Sequence, residues 1–243
     1  AEAFSEKVIT PGVTTTTEVE WWMRQKVTDL GLETWFHPTV DVQRTSEELV
    51  GHLYSFSGRP DDEVIQRGDL LHCDFGITYL RLNTDCQELA YVLKPEETEA
   101  PAFLVNALYD GNRVQDFLTQ NMVKGLVGND ILAKALQDAK DAGLRPAIYT
   151  HPLGSYGHSA GTTIGMWDAQ GGVLKDDGEN YPLNPNTAYA IELNTTVNIP
   201  EWNRDIRIML EEAGFFGEDG FRYVNGRQTE FLLIPRPKSH LGN

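Results

Sequence analysis

Between positions 19 and 27 the chain repeats apolar residues at helical spacing. Val19, Trp22, Met23 and Val27 fall on one stripe, the mark of a helix with one buried face. Threonines 14 to 17 supply N-cap hydroxyls ahead of it, and Gly31 stops it. Residues 1–12 read as a loosely ordered lead-in ending at Pro11-Gly12. Residues 32–43 carry Thr34, Trp35, Phe36, Val40 and Val42 around a single proline and predict a strand. Residues 44–68 are polar and punctuated by Gly51, Gly58, Pro60 and Gly68, which predicts a loop framing a cleft.

Downstream, a short apolar run from Leu70 to Phe75 lies between turn residues and predicts a buried strand, with a second over 83–93. From 96 to about 126 the pattern is helical, with Leu104, Val105, Leu108, Val114 and Phe117 among its apolar positions. Gly125 and Gly128 break it, and Asn129 or Asp130 opens another helix running to Gly143. Glycines and prolines between 146 and 185 predict strands joined by functional loops. The last third predicts strands over 187–197, 206–213 and 230–234. This order implies an α+β fold, helices packed over an antiparallel or mixed sheet. No linker divides the chain, so residues 1–243 are expected to form a single domain.

Composition narrows the function classes. Acidic residues outnumber basic ones 36 to 20, for a net charge of −16, and no Lys/Arg cluster offsets them. Such a surface repels phosphate backbones and favours cations, so nucleic acid is excluded as an expected partner. No apolar run is long enough for a membrane helix. No charged and apolar leader opens the chain, and a soluble protein of the cytoplasm or periplasm is expected. The two cysteines, Cys73 and Cys86, rule out a disulfide framework and predict packed free thiols.

Two pairs of acids carry the chemistry. Asp74 and Asp85 lie in or beside apolar strand segments. A hairpin centred between Tyr79 and Leu80 would set them directly opposite one another, together with Cys73 and Cys86 on the other face. Glu192 and Glu211 flank Pro200-Glu201-Trp202-Asn203 symmetrically and are expected to face each other in the same way. Like charges so placed repel, and a cation between them would relieve the repulsion. His158 sits between glycines in Gly157-His158-Ser159-Ala160-Gly161, a setting suited to a ligand. Four carboxylates and an imidazole form a hard set fitted to Mn²⁺, Co²⁺, Fe²⁺ or Zn²⁺, and their number points to two metals rather than one.

At these residues the chain resembles the pita-bread metallopeptidases: aminopeptidase P, Xaa-Pro dipeptidase (prolidase) and methionine aminopeptidase. Their ligand order is Asp, Asp eleven later, His beside Gly, Glu and Glu. It is matched here by His72-Cys73-Asp74-Phe75-Gly76, Asn83-Thr84-Asp85, Gly157-His158, Ile191-Glu192-Leu193 and Leu210-Glu211-Glu212. The match extends from Ile9-Thr10-Pro11-Gly12 to Glu230-Phe231-Leu232. The resemblance implies a curved, mostly antiparallel sheet covered by helices, and two divalent ions, Mn foremost, on Asp74, Asp85, His158, Glu192 and Glu211. It also implies exopeptidase action on a peptide with a free N-terminus by a metal-bridging hydroxide. Glu192 would shuttle the proton, and His52 or His151 would donate to the oxyanion, with His37 the alternative to His52. The resemblance admits a homodimer.

The chain also departs from the family. Glu192-Leu193-Asn194 stands where relatives have Glu-Pro-Gly, and Glu212 rivals Glu211 as the last ligand. Met166-Trp167-Asp168 occupies the region where relatives carry a second histidine that stabilises the transition state. Two other readings therefore stay open: a non-catalytic binding module on the same scaffold, and a creatinase-like hydrolase of C–N bonds that works without metal.

Overall fold

The structure is a computed structural model and describes residues 1–45, 62–166 and 181–236. Helix α1 spans Thr16–Asp29. Thr15 caps it: its hydroxyl accepts the Glu18 N–H at 3.3 Å, and the Glu18 carboxylate accepts the Thr15 N–H at 2.9 Å. Two orphan donors of the first turn are thereby satisfied. The lead-in is packed rather than loose. Phe4 and Ile9 are each 1% exposed and join Val19 and Met23 in one core cluster, worth about 2 kcal/mol per side chain by area buried. Two short apolar pairs, Ala3-Phe4 and Val8-Ile9, are too few to set a sustained period, so the sequence does not announce them.

The strand expected over 32–43 is two strands. β1 (Glu33–Thr34) and β2 (Thr39–Gln43) enter different sheets. Pro38 lies between them and has no N–H to offer a ladder. β3 (Leu70–Phe75), β4 (Ile77–Tyr79), β5 (Leu82–Asn83) and β6 (Cys86–Val92) follow. Next come the helices α2 (Ala102–Asn121) and α3 (Gly128–Asp141). The rest is β7 (Pro146–Ile148), β8 (His151–Leu153), β9 (Thr187–Ile199), β10 (Arg204–Gly217), β11 (Gly220–Tyr223) and β12 (Leu232–Ile234). A nine-stranded sheet runs β2-β3-β6-β10-β9-β7, with β11 on β10, β12 on β6 and β8 on β9. β1, β4 and β5 make a small second sheet. Only the β12–β6 pairing is parallel among the described strands.

Alternation along the strands separates core from site. On β9 and β10, Ile191, Leu193, Ile208 and Leu210 join the cluster that holds Leu104 and Leu108 of α2 and Ile131 and Leu132 of α3. Gly111 of α2 permits this approach, since a Cβ there would meet Ile208 Cγ2 at 2.7 Å. On β3, Leu71 and Cys73 pack with Val19 and Met23 of α1. The intervening residues, His72 and Asp74 on β3 and Glu192 and Glu211 on the long hairpin, turn to the opposite face of their strands from these packed neighbours. No helix among the described residues is long and apolar enough to cross a membrane.

Candidate metal centre

The β9–β10 hairpin places Glu192 directly opposite Glu211, the expected register. It is closed by a single 3₁₀ turn, Pro200–Trp202, and by Asn203 at φ 50°, a left-handed position that asparagine tolerates. The Asp74–Asp85 hairpin differs from expectation by two residues. Asp74 pairs with Gln87, and Thr78 pairs with Asn83 around a turn at Leu80 and Arg81. Both turn residues have positive φ (50° and 67°), as a two-residue turn matched to strand twist requires. Their side chains carry no hint of it. The shift is even, so Asp74 keeps its face. Cys73 and Cys86 likewise share a face diagonally rather than directly, and both are free thiols.

The carboxylates nevertheless converge. Oxygens of Asp74, Asp85 and Glu211 lie within 4.8 Å of one another, as do ligand atoms of His151, Glu192 and Glu211, and of Asp85, His151 and His158. Asp85, Glu192, Glu211 and His151 are 4%, 6%, 1% and 2% exposed, so water does not screen their charges. Burial, followed by the neighbouring acid, pushes Asp85 up to about 9. Burial first and Asp41 later raise Asp74 to about 6, despite the opposing pull of His72. Burial and mutual repulsion carry Glu192 and Glu211 well above the usual carboxylate range. Without a cation the cluster does what acids forced together do: it retains protons.

His151 makes the fit to a metal specific. Burial, then the nearby His158, lowers its pKa to about 4, so the ring is neutral at pH 7. Nδ1 stands 3.3 Å from the Pro152 carbonyl and donates to it, which leaves a bare lone pair on Nε2. That lone pair faces Glu211 at 3.6 Å and Asp85 and Glu192 at 3.8 Å each. Nε2, Asp74 Oδ1, Asp85 Oδ1 and Glu211 Oε1 are all buried without a hydrogen-bond partner. Buried polar atoms drawn this close together and left without partners fit the ligand set of a cation site.

The remaining sequence candidates fall as follows. His158 is exposed, with its ring 4.3 Å from that of His151, and burial of its inner edge lowers its pKa. It lines a cleft of about 360 Å³ with Trp35, Phe36, Tyr149 and the four acids. His37 sits 3.4 Å from Glu20 and edge-on to Trp21 and does not line that cleft. Glu212 alternates to the opposite face, where it accepts the Gln228 N–H at 2.5 Å; burial raises it to about 7. His52, Trp167, Asp168 and His240 lie outside the described residues.

Sequence reasoning missed the aromatic wall. Trp35 donates its indole N–H to the Thr84 carbonyl at 2.8 Å and stands edge-on to His158 at 5.7 Å. Gly157 lies flat against it, and a Cβ there would fall 2.2 Å from the ring. The adjacent pair Trp35-Phe36 beside Pro38 was the available signal. His151, expected from the sequence as a donor to the oxyanion, is brought with His158 to Asp85, and alone of the two to Glu192 and Glu211.

Comparison with known proteins agrees with the fold. An X-Pro aminopeptidase from Thermotoga maritima superposes with a TM-score of 0.70 at 17% identity, over 96% of this chain and 58% of that one. A methionine aminopeptidase from Rickettsia prowazekii matches with a TM-score of 0.62 at 12% identity, over 89% of this chain and 88% of that one. The N-terminal domain of the FACT complex subunit SPT16 from Cicer arietinum gives 0.61 at 11% identity, over 90% and 52%. The chain thus spans little more than half the length of the X-Pro aminopeptidase. No curated protein sequence matches it significantly. The fold is the mostly antiparallel, helix-covered pita-bread fold of these structures. The sequence profile of Metallopeptidase family M24 matches residues 1–217, and the chain belongs to that family.

Proposed function

We propose that residues 1–243 form one catalytic domain of a metal-dependent exopeptidase, an Xaa-Pro aminopeptidase or dipeptidase. The observation that carries this reading is the convergence of buried carboxylates and one neutral imidazole, with Asp74 Oδ1, Asp85 Oδ1, Glu211 Oε1 and His151 Nε2 left without hydrogen-bond partners. Asp74, Asp85, Glu192, Glu211 and His151 would hold two divalent ions, Mn²⁺ foremost, with Zn²⁺, Co²⁺ or Fe²⁺ as alternatives. This assignment gives His151 the ligand place first expected of His158. Bound ions would supply Lewis acidity, lowering the pKa of a water and polarising the scissile carbonyl.

The chain's own groups do the rest. Glu192 takes a proton from the attacking water and returns it to the leaving nitrogen. His158, exposed on the cleft side of His151, donates to the oxyanion that develops on the carbonyl. It thereby fills the role of the second histidine whose place Met166-Trp167-Asp168 had left empty. The acids draw in a protonated amino terminus, and Trp35, Phe36 and Tyr149 wall off solvent in a cleft sized for the end of a short peptide. The test combines metal content by plasma mass spectrometry with a panel of Xaa-Pro and Xaa-Ala peptides on Mn²⁺-loaded protein. Release of the N-terminal residue, abolished by chelator and restored by metal, is expected.

The FACT subunit domain shows that the same fold occurs in a subunit of a larger complex. That likeness favours a second reading, a binding module. Metal uptake without turnover on any peptide supports it. Turnover of a C–N bond with less than one metal per chain supports the creatinase-like reading instead.

A further inference from the structure

Behind the cluster runs a line of buried polar side chains that the peptidase reading leaves unused. Asp41 on β2 stands opposite His72 on β3 in strand register, with Asp41 Oδ2 3.0 Å from His72 Nδ1. His72 Nε2 is 2.8 Å from Gln87 Oε1 on β6. Gln87 then reaches past its register partner Glu211 and donates through Nε2 to Glu192 Oε1 at 3.1 Å. The four residues are 9%, 2%, 2% and 6% exposed.

The chemistry of the ends fixes the direction of every bond. Gln87 Nε2 donates to Glu192, so the amide turns its NH₂ to that carboxylate and its carbonyl to His72. His72 Nε2 then donates to the Gln87 carbonyl, and Nδ1 pairs with Asp41. Reversing the amide would set a carbonyl oxygen against the Glu192 carboxylate in a buried setting and leave that carboxylate without its partner. The two Glu192 oxygens are therefore unequal. Oε1 is tied to Gln87, while Oε2 faces His151 Nε2 and the cluster.

We propose that Asp41, His72 and Gln87 form a positioning relay that holds Glu192 so that a single oxygen, Oε2, is presented to the metal centre. Gln87 touches the ligand carboxylate, while His72 and Asp41 act through it. Partners of this kind that orient metal-bound groups change metal affinity by about 10–100-fold when removed. The inference rests on the metal-centre reading, and its test separates the two.

Gln87→Met keeps the side-chain length and removes the donor. Titration calorimetry with Mn²⁺ is expected to show affinity weakened at least tenfold, and the visible absorption of the Co²⁺-loaded protein is expected to shift as Glu192 gains a second free oxygen. Asp41→Asn, two bonds further from Glu192, is expected to move both readouts the same way by a smaller amount. A purely structural role would lower thermal stability and leave affinity and spectrum in place. Mn²⁺ affinity within twofold of wild type together with an unchanged Co²⁺ spectrum in Gln87→Met overturns the relay and leaves the metal centre standing. If Gln87→Met does not fold, the same outcome in Asp41→Asn overturns it. Wild-type protein that binds neither Mn²⁺ nor Co²⁺ overturns both readings together.

Discussion

Removing a charge from the cluster should strengthen the metal-free fold while destroying its chemistry. Asp85 has a native pKa of about 9 against 3.8 for the free side chain, so at pH 7 the metal-free native state holds a proton that the unfolded chain has released. Holding it across 3.2 pH units costs about 4 kcal/mol at 1.36 kcal/mol per unit. Coupling to Asp74 makes that a ceiling. Asn fills the same volume and needs no proton, so Asp85→Asn is expected to stabilise metal-free protein by about 1–4 kcal/mol, up to that ceiling. At about 2–4 °C per kcal/mol for a chain of this size, the melting midpoint in chelator rises by several degrees. The sign extends to pH. A carboxyl whose native pKa is raised makes the fold less stable as pH climbs from the unfolded value towards the native one. The wild-type midpoint in chelator therefore falls between pH 4 and 9, and the variant's falls less. Mn²⁺ should raise the wild-type midpoint and leave the variant's unmoved. Thermal melts by circular dichroism at four pH values, with chelator or Mn²⁺, measure all of this. A variant that melts lower than wild type in chelator, or that gains as much from Mn²⁺, would refute the electrostatic argument.

The two histidines should separate cleanly. His151→Ala is expected to weaken Mn²⁺ binding by at least a hundredfold, whereas His158→Ala keeps the metal and loses about 10²–10³ in kcat; the opposite pattern returns the ligand role to His158. Gly157→Ala places a methyl against the Trp35 ring and should cost about 1–3 kcal/mol by overpacking. It should also shift tryptophan emission, and an unchanged melt and spectrum would show that the indole has room to move.

What the sequence disclosed follows from how local each signal is. The Glu192–Glu211 register is centred on a proline-led turn flanked by alternating apolar residues, and the structure has it residue for residue. Helix α1 announces itself through threonines 14 to 17, of which Thr15 is the cap. The Asp74 hairpin was misplaced because Leu80 and Arg81 take left-handed backbone without glycine or asparagine. Which imidazole meets the acids depends on β8 pairing with β9, where His151 stands opposite Ala190, a long-range contact that no short pattern encodes. Phe4 and Ile9 were hidden for the same reason, their partners being on α1 and β2.

The acids of the centre come from strands at both ends of the chain, β3 early and β10 late. During synthesis on a ribosome the first aspartates emerge long before the last glutamate. A half-made chain can therefore offer a passing ion only scattered, hydrated acids. On the proposed metal-centre reading, capture of an ion follows completion of the sheet, the reverse of a finger peptide whose zinc drives its folding.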